Sequence, residues 1–151
     1  MNLNGINPKI NKQKIKLKTL GETVSQSDIE IPFFVVCETH LKDYILDAEV
    51  SITDYNLTRA DRPNSRRKGG VAIYSHHTFS LEEIQTFSNS FCELIIAYNK
   101  ENNIVLVALY RPPDTPADKF RECLDKIKAY KEKYETATTL ILGDLNLKYI
   151  D

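Results

Sequence analysis

Long apolar runs, a cysteine pattern and a surplus of charge are all missing from this sequence of 151 residues. No apolar run approaches the roughly 20 residues of a membrane-spanning helix, so we expect no signal peptide, membrane span or membrane partner. The three cysteines, Cys37, Cys92 and Cys123, fit no zinc-binding spacing, and their odd number fits no closed set of disulfides. We therefore predict buried free thiols in a reducing, intracellular compartment.

The charge is balanced overall but uneven along the chain. The net charge of −1 does not indicate nucleic-acid binding. Residues 1–21 nevertheless contain five lysines and no acid, and residues 59–68 contain four arginines and a lysine against one aspartate. Solvated surface is the commoner explanation of such stretches. A row of contacts to nucleic-acid phosphates is the alternative.

The apolar pattern predicts one α/β domain with antiparallel neighbours in its sheet. Helices are predicted over 9–20 and 116–134, and strands over 33–37, 51–58, 70–74, 93–98, 104–110 and 138–142. Strands 33–37 and 138–142 read as buried, and 59–68 reads as a polar loop. For the second helix we expect Thr115 as the cap and Phe120, Leu124 and Ile127 on the buried side.

Polar residues stand at the ends of the predicted apolar strands, where ligand sites of α/β sheets gather. The four segments are Asn2–Gly5, Glu38–His40, Tyr110–Pro113 and Gly143–Asn146. Each alone has an ordinary explanation as surface, strand terminator or turn. In the last segment a spacing of two residues turns Asp144 and Asn146 to the same side of an extended chain.

These segments, in this order, resemble the endonuclease/exonuclease/phosphatase family. The likeness is greatest to the endonuclease domain of non-LTR (LINE-type) retrotransposons, and it extends over essentially the whole chain. It rests on the following pieces: Asn2–Ile6, Cys37–Leu41, Arg59–Asp61, Gly69–Tyr74, Leu109–Pro113 and Gly143–Asn146. The resemblance implies two β-sheets packed face to face as a sandwich, with helices outside.

The resemblance also implies site residues. Glu38 would hold a divalent cation, Mg²⁺ or possibly Mn²⁺, and Asn2 would lie near that cation and the scissile phosphate. Tyr110 would contact this phosphate, Asp144 would orient or deprotonate the attacking water, and Asn146 would steady the phosphate. We therefore expect Glu38, Tyr110, Asp144 and Asn146 to converge, with Asn2 close by. We expect His40 to have a structural role rather than to act as the catalytic base.

The implied reaction is the nicking of one DNA strand, which leaves a 3′-hydroxyl for reverse transcription. Its partners would be DNA and a reverse transcriptase domain in a longer polyprotein, and its place the nucleus if it acts on chromosomal DNA. The DNA contacts are assigned to Arg66, Arg67, Lys68 and Arg111.

One family motif, a terminal Ser-Asp-His, is absent from the 151 residues, whose histidines are His40, His76 and His77. We therefore expect 1–151 to be a partial, C-terminally truncated domain with negligible nicking activity alone. Its apolar strands would leave one face uncovered, which predicts self-association. Two alternatives stay open: a non-enzymatic retroelement remnant, and a phosphodiesterase or phosphatase of the same fold that acts on lipids or nucleotides.

Overall fold

The computed structural model describes residues 8–63 and 68–147, and only the backbone of residues 8–11. This part of the chain contains two α-helices, one short 3-10 helix (Asp47–Glu49) and seven strands. The α-helices and strands are α1 (Pro8–Ser25), β1 (Phe33–Cys37), β2 (Tyr55–Ala60), β3 (Val71–His76), β4 (Glu82–Ser88), β5 (Glu93–Asn99), β6 (Ile104–Tyr110), α2 (Ala117–Lys133) and β7 (Thr138–Asp144).

The strands form two sheets, and the predicted antiparallel neighbours are confirmed. One sheet has the order β1-β3-β2 and the other β4-β5-β6-β7. Every pair is antiparallel except β6 and β7, which run parallel and place Tyr110 opposite Asp144. Because parallel strands end at the same edge of a sheet, these two residues stand side by side at the carboxyl ends of their strands.

The two sheets pack face to face with a helix on each outer side. Alternate side chains of β1, β3, β5 and β6 meet between the sheets, among them Val35, Ile73, Ile95 and Leu106. The remaining alternate side chains of β5 and β6 pack under α2. Those of β1 and β3 pack with Leu17 of α1 and the segment 41–52. This architecture confirms the predicted α/β sandwich flanked by helices.

The predicted burial is wrong for several strands. The side chains of β1 are only partly buried, because β1 lies at the edge of its sheet. β7 also lies at an edge, and its Ile141 and Leu142 are 52% and 39% exposed. β4, at the other edge of this sheet, also exposes a large apolar side chain, Ile84, to 44%. Self-association stays a prediction. The sequence also missed β4, whose polar residues are held by pairing with β5.

The second helix begins without the predicted cap. Pro116 is the N-cap residue, and no side chain caps the helix. The hydroxyl of Thr115 donates instead to the carbonyl oxygens of Pro112 and Phe91. The buried side of the helix includes Ile127, as predicted, but Leu124 is half-exposed because Cys123 and Tyr130 face the sheet with Ile127.

The cysteine prediction is wrong for one pair. Cys92 and Cys123 are both fully buried and are joined as a disulfide between the start of β5 and α2. Packing of the helix on the sheet brings together two residues 31 positions apart, which no sequence spacing signalled. Cys37 is a free thiol. None of the helices in the described ranges is both long and apolar enough to cross a membrane.

Candidate active site

Glu38 and Tyr110 meet where β1 and β6 end. The hydroxyl of Tyr110 donates to Oε1 of Glu38 at 2.7 Å. Tyr110 faces the space between the sheets and is almost fully buried. Burial, and then the hydrogen bond to Glu38, raises the pKa of Tyr110 above its ordinary value. The hydroxyl therefore stays protonated and holds one carboxylate oxygen of Glu38 in place.

The segment that carries Glu38 has an unusual backbone. Glu38 and His40 both adopt a positive φ of 53°, a region that non-glycine residues seldom occupy. Backbone hydrogen bonds from Thr39 to Gly70 and from His40 to Gly69 hold this segment, and the Gln13 side chain of α1 donates to the Glu38 carbonyl at 2.9 Å. Such over-determined strain is concentrated at functional sites.

Asp144 and Asn146 form the other side of this corner. Oδ1 of Asp144 accepts a hydrogen bond from the Asn146 backbone at 3.0 Å, and the Asn146 amide donates to the Arg111 carbonyl at 2.8 Å. Arg111 in turn donates to the carbonyl oxygens of Leu145 and Asn146. These bonds fix the segment after β7 against the segment after β6.

A cleft of about 370 Å³ opens beside this corner, lined by Val35, Cys37, Leu142, Gly143 and Asp144. Burial raises the pKa of the Cys37 thiol above its ordinary value. A hydrogen bond with the Asp144 backbone opposes this shift, and the carboxylates of Asp144, Glu38 and Glu93 add to it.

A buried ion pair lies beneath Tyr110. Arg62 contacts Glu93 through Nε and through Nη2, the latter 3.1 Å from Oε2. Glu93 is fully buried, and the Arg62 guanidinium lies 5.7 Å from the centre of the Tyr110 ring. Burial raises the pKa of Glu93, while Arg62 and a backbone bond to Gly70 favour its charged form. The sequence did not predict this pair, and its one signal of it is a carboxylate at the start of an apolar strand.

The structure links four of the predicted site residues in sequence: Glu38 is hydrogen-bonded to Tyr110, Tyr110 stands opposite Asp144 in the register of β6 and β7, and Asp144 accepts from the Asn146 backbone. Their catalytic roles stay predictions. Asn2, Arg66 and Arg67 lie outside the described residues.

Among the residues predicted to contact DNA, one is exposed and another is hydrogen-bonded within the protein. Lys68 is exposed. Arg111 was predicted to contact DNA, but its guanidinium is occupied by three backbone carbonyl groups. Arg62, in the stretch expected to lie along phosphates, is occupied by Glu93. The loop 59–68 therefore begins with residues that are engaged within the protein, and Arg59 and Ala60 still belong to β2.

The oxygen donors suit a hydrated hard cation. Glu38 offers a side chain that is 48% exposed, with its Oε2 atom 3.9 Å from Nε2 of His40. Within the ranges 8–63 and 68–147, no three His, Cys, Asp or Glu side chains assemble a closed metal site. Mg²⁺ and Mn²⁺ favour oxygen ligands, and Mg²⁺ keeps several of its waters, so one or two carboxylates are enough.

Comparison with known proteins agrees with this geometry. The model of the family described as "Endonuclease/Exonuclease/phosphatase family" matches residues 1–151. The chain belongs to the endonuclease/exonuclease/phosphatase family. Members of this family are typically hydrolases of phosphodiester bonds and generally use divalent metal ions. Among curated proteins, no relative matches the chain.

Solved structures share the family fold at low sequence identity. Truncated Caenorhabditis elegans TDP2 is 16% identical, with a TM-score of 0.57 over 97% of this chain and 60% of that one. The human Nocturnin catalytic domain with bound sulfate is 14% identical, with a TM-score of 0.62 over 91% and 58%. Humanized D. rerio TDP2 is 12% identical, with a TM-score of 0.52 over 99% and 61%. The chain thus spans about three-fifths of these structures.

Proposed function

We propose that this chain is part of a metal-dependent phosphodiesterase, namely the DNA-nicking endonuclease domain of a non-LTR retrotransposon. The observation that carries the proposal is the hydrogen bond between Tyr110 and Glu38 where β6 and β1 end, with Asp144 opposite Tyr110 on the neighbouring strand. The endonuclease branch is supported by the Glu-Thr-His-Leu segment from Glu38 and the Tyr-Arg-Pro-Pro segment from Tyr110. The reverse transcriptase of a longer polyprotein is the partner that this proposal implies.

Each residue has a chemical task in this proposal. Glu38 would hold Mg²⁺ or Mn²⁺, whose charge would stabilise the phosphate as negative charge develops in the transition state. Tyr110 orients the Glu38 carboxylate through its hydroxyl. Asp144 uses Oδ1 to accept from the backbone of Asn146, and a carboxylate has capacity to accept further hydrogen bonds from an attacking water.

One structure of the same fold, the human Nocturnin catalytic domain, was solved with a bound sulfate anion, which has a shape similar to that of a phosphate group. A phosphodiesterase that acts on a nucleotide or lipid remains the second candidate. The observation that favours it is the internal engagement of Arg59 and Arg62, since two of the basic residues expected to follow DNA are occupied.

The proposal predicts that Glu38 governs cation binding. Replacing Glu38 by Gln removes the charge while keeping the shape and the acceptor for Tyr110. We expect the apparent affinity for Mn²⁺ to fall at least about tenfold, which corresponds to about 1.4 kcal/mol. Electron paramagnetic resonance titration of unbound Mn²⁺ measures this change directly.

The matched control for this titration is Glu101→Gln, in the exposed turn between β5 and β6. This substitution makes the same chemical change at the other end of β5 and β6, away from Tyr110. We expect the control to bind Mn²⁺ as the unmodified chain does. Equal Mn²⁺ affinities of the Glu38 and Glu101 variants would overturn the assignment of Glu38.

A further inference from the structure

His40 places a nitrogen atom beside the Glu38 carboxylate. Its Nε2 atom lies 3.9 Å from Oε2 of Glu38, whereas the other carboxylate oxygen, Oε1, accepts the hydrogen bond from Tyr110. The two oxygens of Glu38 therefore face different neighbours. Tyr110 fixes one of them, and the other is turned towards the imidazole.

The Nε2 atom of His40 is shielded from solvent, yet it has no hydrogen-bond partner in the part of the chain that the structure describes. A shielded polar atom of this kind destabilises a fold unless water, an ion or another group satisfies it. At 3.9 Å, Glu38 is too distant for a direct hydrogen bond. In a neutral imidazole with its proton on Nδ1, Nε2 carries a lone pair that can bind a metal ion. A cation between Nε2 and Oε2 would satisfy both atoms.

The backbone that carries the imidazole is held from both sides. The N–H of His40 donates to the Gly69 carbonyl at 2.9 Å, and the two neighbours of His40, Thr39 and Leu41, are almost fully buried. A Cβ on Gly70 would overlap Oγ1 of Thr39, so this packing depends on a glycine at that position. The segment is therefore fixed before any ion binds.

The distance and the atom types suit a transition metal. A dication such as Zn²⁺ binds imidazole nitrogen and carboxylate oxygen at about 2.0–2.2 Å, so one ion can contact two atoms about 3–4 Å apart. Carboxylates and water alone suit Mg²⁺. Imidazole suits later first-row metals, and the affinity of a site with nitrogen and oxygen ligands rises from Mn²⁺ through Co²⁺ to Ni²⁺. A nitrogen ligand beside Glu38 would therefore decide which metal binds.

We propose that Nε2 of His40 and Oε2 of Glu38 together bind a first-row transition dication, in preference to Mg²⁺. This inference rests on the role of Glu38 in the function proposed above, and it names the class of metal that this site would take. It gives His40 a role beyond the structural one expected from the sequence. Water would complete the coordination, since no group of three His, Cys, Asp or Glu side chains in the described ranges could hold a metal.

The first test compares the binding of Co²⁺ and of Mg²⁺ by isothermal titration calorimetry in the unmodified chain and in His40→Asn. Asn tolerates the positive φ of residue 40 and replaces the ring nitrogen by an amide oxygen. We expect the Co²⁺ affinity to fall at least about tenfold, because losing even a group that supports a metal ligand costs about 10–100-fold. The Mg²⁺ affinity should change by less than about twofold, because Mg²⁺ favours oxygen ligands.

The matched control is His77→Asn, which makes the same change at an exposed histidine just after β3, whose other end lies next to Gly70. It should leave both affinities unchanged. Equal Co²⁺ affinities of the His40 and His77 variants would overturn the assignment of His40.

A second measurement needs no substitution near the site. The double variant His76→Gln, His77→Gln retains His40 as its only histidine, and it can be labelled with histidine that carries the heavy nitrogen isotope. With Mn²⁺ bound, pulsed electron paramagnetic resonance should detect the coupling of a directly bound labelled nitrogen. Mn²⁺ that depends on Glu38 but shows no such coupling would overturn the role of His40 and leave the proposed function intact. Equal Mn²⁺ affinities of the Glu38 and Glu101 variants would instead overturn that function, and the metal pair with it.

Discussion

Replacing Arg62 by Met is expected to lower the free energy of unfolding by about 3–5 kcal/mol, measured by urea denaturation at pH 7. The substitution leaves Glu93 fully buried without its cation, and breaking one side of a buried pair has this order of cost. The Arg62 side chain also packs closely against Gly69: a Cβ atom added to Gly69 would lie only 2.6 Å from Nε of Arg62. Removal of the guanidinium should therefore loosen the Gly69 backbone, which binds His40, and also the packing around the Tyr110 ring.

The pH dependence of the Arg62→Met variant provides an internal check. Burial raises the pKa of Glu93, and without Arg62 the folded pKa lies above the unfolded one. A carboxyl of this kind stabilises the fold below its unfolded pKa and loses that contribution as the pH rises through the folded value. The deficit of the variant relative to the unmodified chain should therefore shrink as the pH falls from 7 towards 4.

Two comparisons separate the buried pair from a general effect of charge removal. Arg62→Met combined with Glu93→Leu removes both charges and should be more stable than Arg62→Met alone. Lys128→Met breaks an exposed pair with Glu132 and should change stability by less than about 0.5 kcal/mol. A loss of under 1 kcal/mol in the single Arg62 variant would show that the pair does not support the fold.

Replacing Gly143 by Ala is expected to cost about 3–5 kcal/mol and to disrupt the candidate site. Gly143 has a φ of 146°, and a Cβ there would overlap the Leu109 carbonyl oxygen, with the carbonyl carbon 2.8 Å away. The obstacle is backbone of the neighbouring strand, which cannot rotate aside as a side chain could. Backbone strain and overpacking each contribute about 1–3 kcal/mol.

The matched control for this substitution is Gly21→Ala, within α1. The added methyl group would meet the Ile52 side chain at 2.8 Å, which opposes the preference of a helix for Ala of about 0.5–1 kcal/mol. We expect a net change within about 1 kcal/mol, by the same urea measurement. If Gly143→Ala were as stable as this control, β6 and β7 could not pack as closely as the structure shows.

The sequence predicted those elements whose signal is local. Continuous apolar runs identified β1 and β6, because such runs are typical of strands inside a sandwich. The same signal overstated the burial of β7, since an apolar run does not distinguish an edge strand from a central one. β4 was missed because its sequence, Glu82–Ser88, is mostly polar and becomes a strand by pairing with β5.

The site was predictable in its residues but not in its contacts. The resemblance selected Glu38 and Tyr110, which are 72 positions apart, yet only the packing of two sheets makes them hydrogen-bonded neighbours. No local pattern predicts that Arg62 turns inward to Glu93 rather than outward to a phosphate. Arg111 likewise follows a strand like a surface residue, but it binds the carbonyl groups after β7.

The most direct test of the proposed site is a crystal of the chain soaked in Mn²⁺ and measured where manganese scatters anomalously. We expect a peak at the Glu38 carboxylate, in contact directly or through water, with the Tyr110 hydroxyl still bonded to Oε1. Asp144 would lie on the same side of the sandwich, as its position opposite Tyr110 requires. Manganese bound only at other residues, with no peak beside Glu38, would contradict the account.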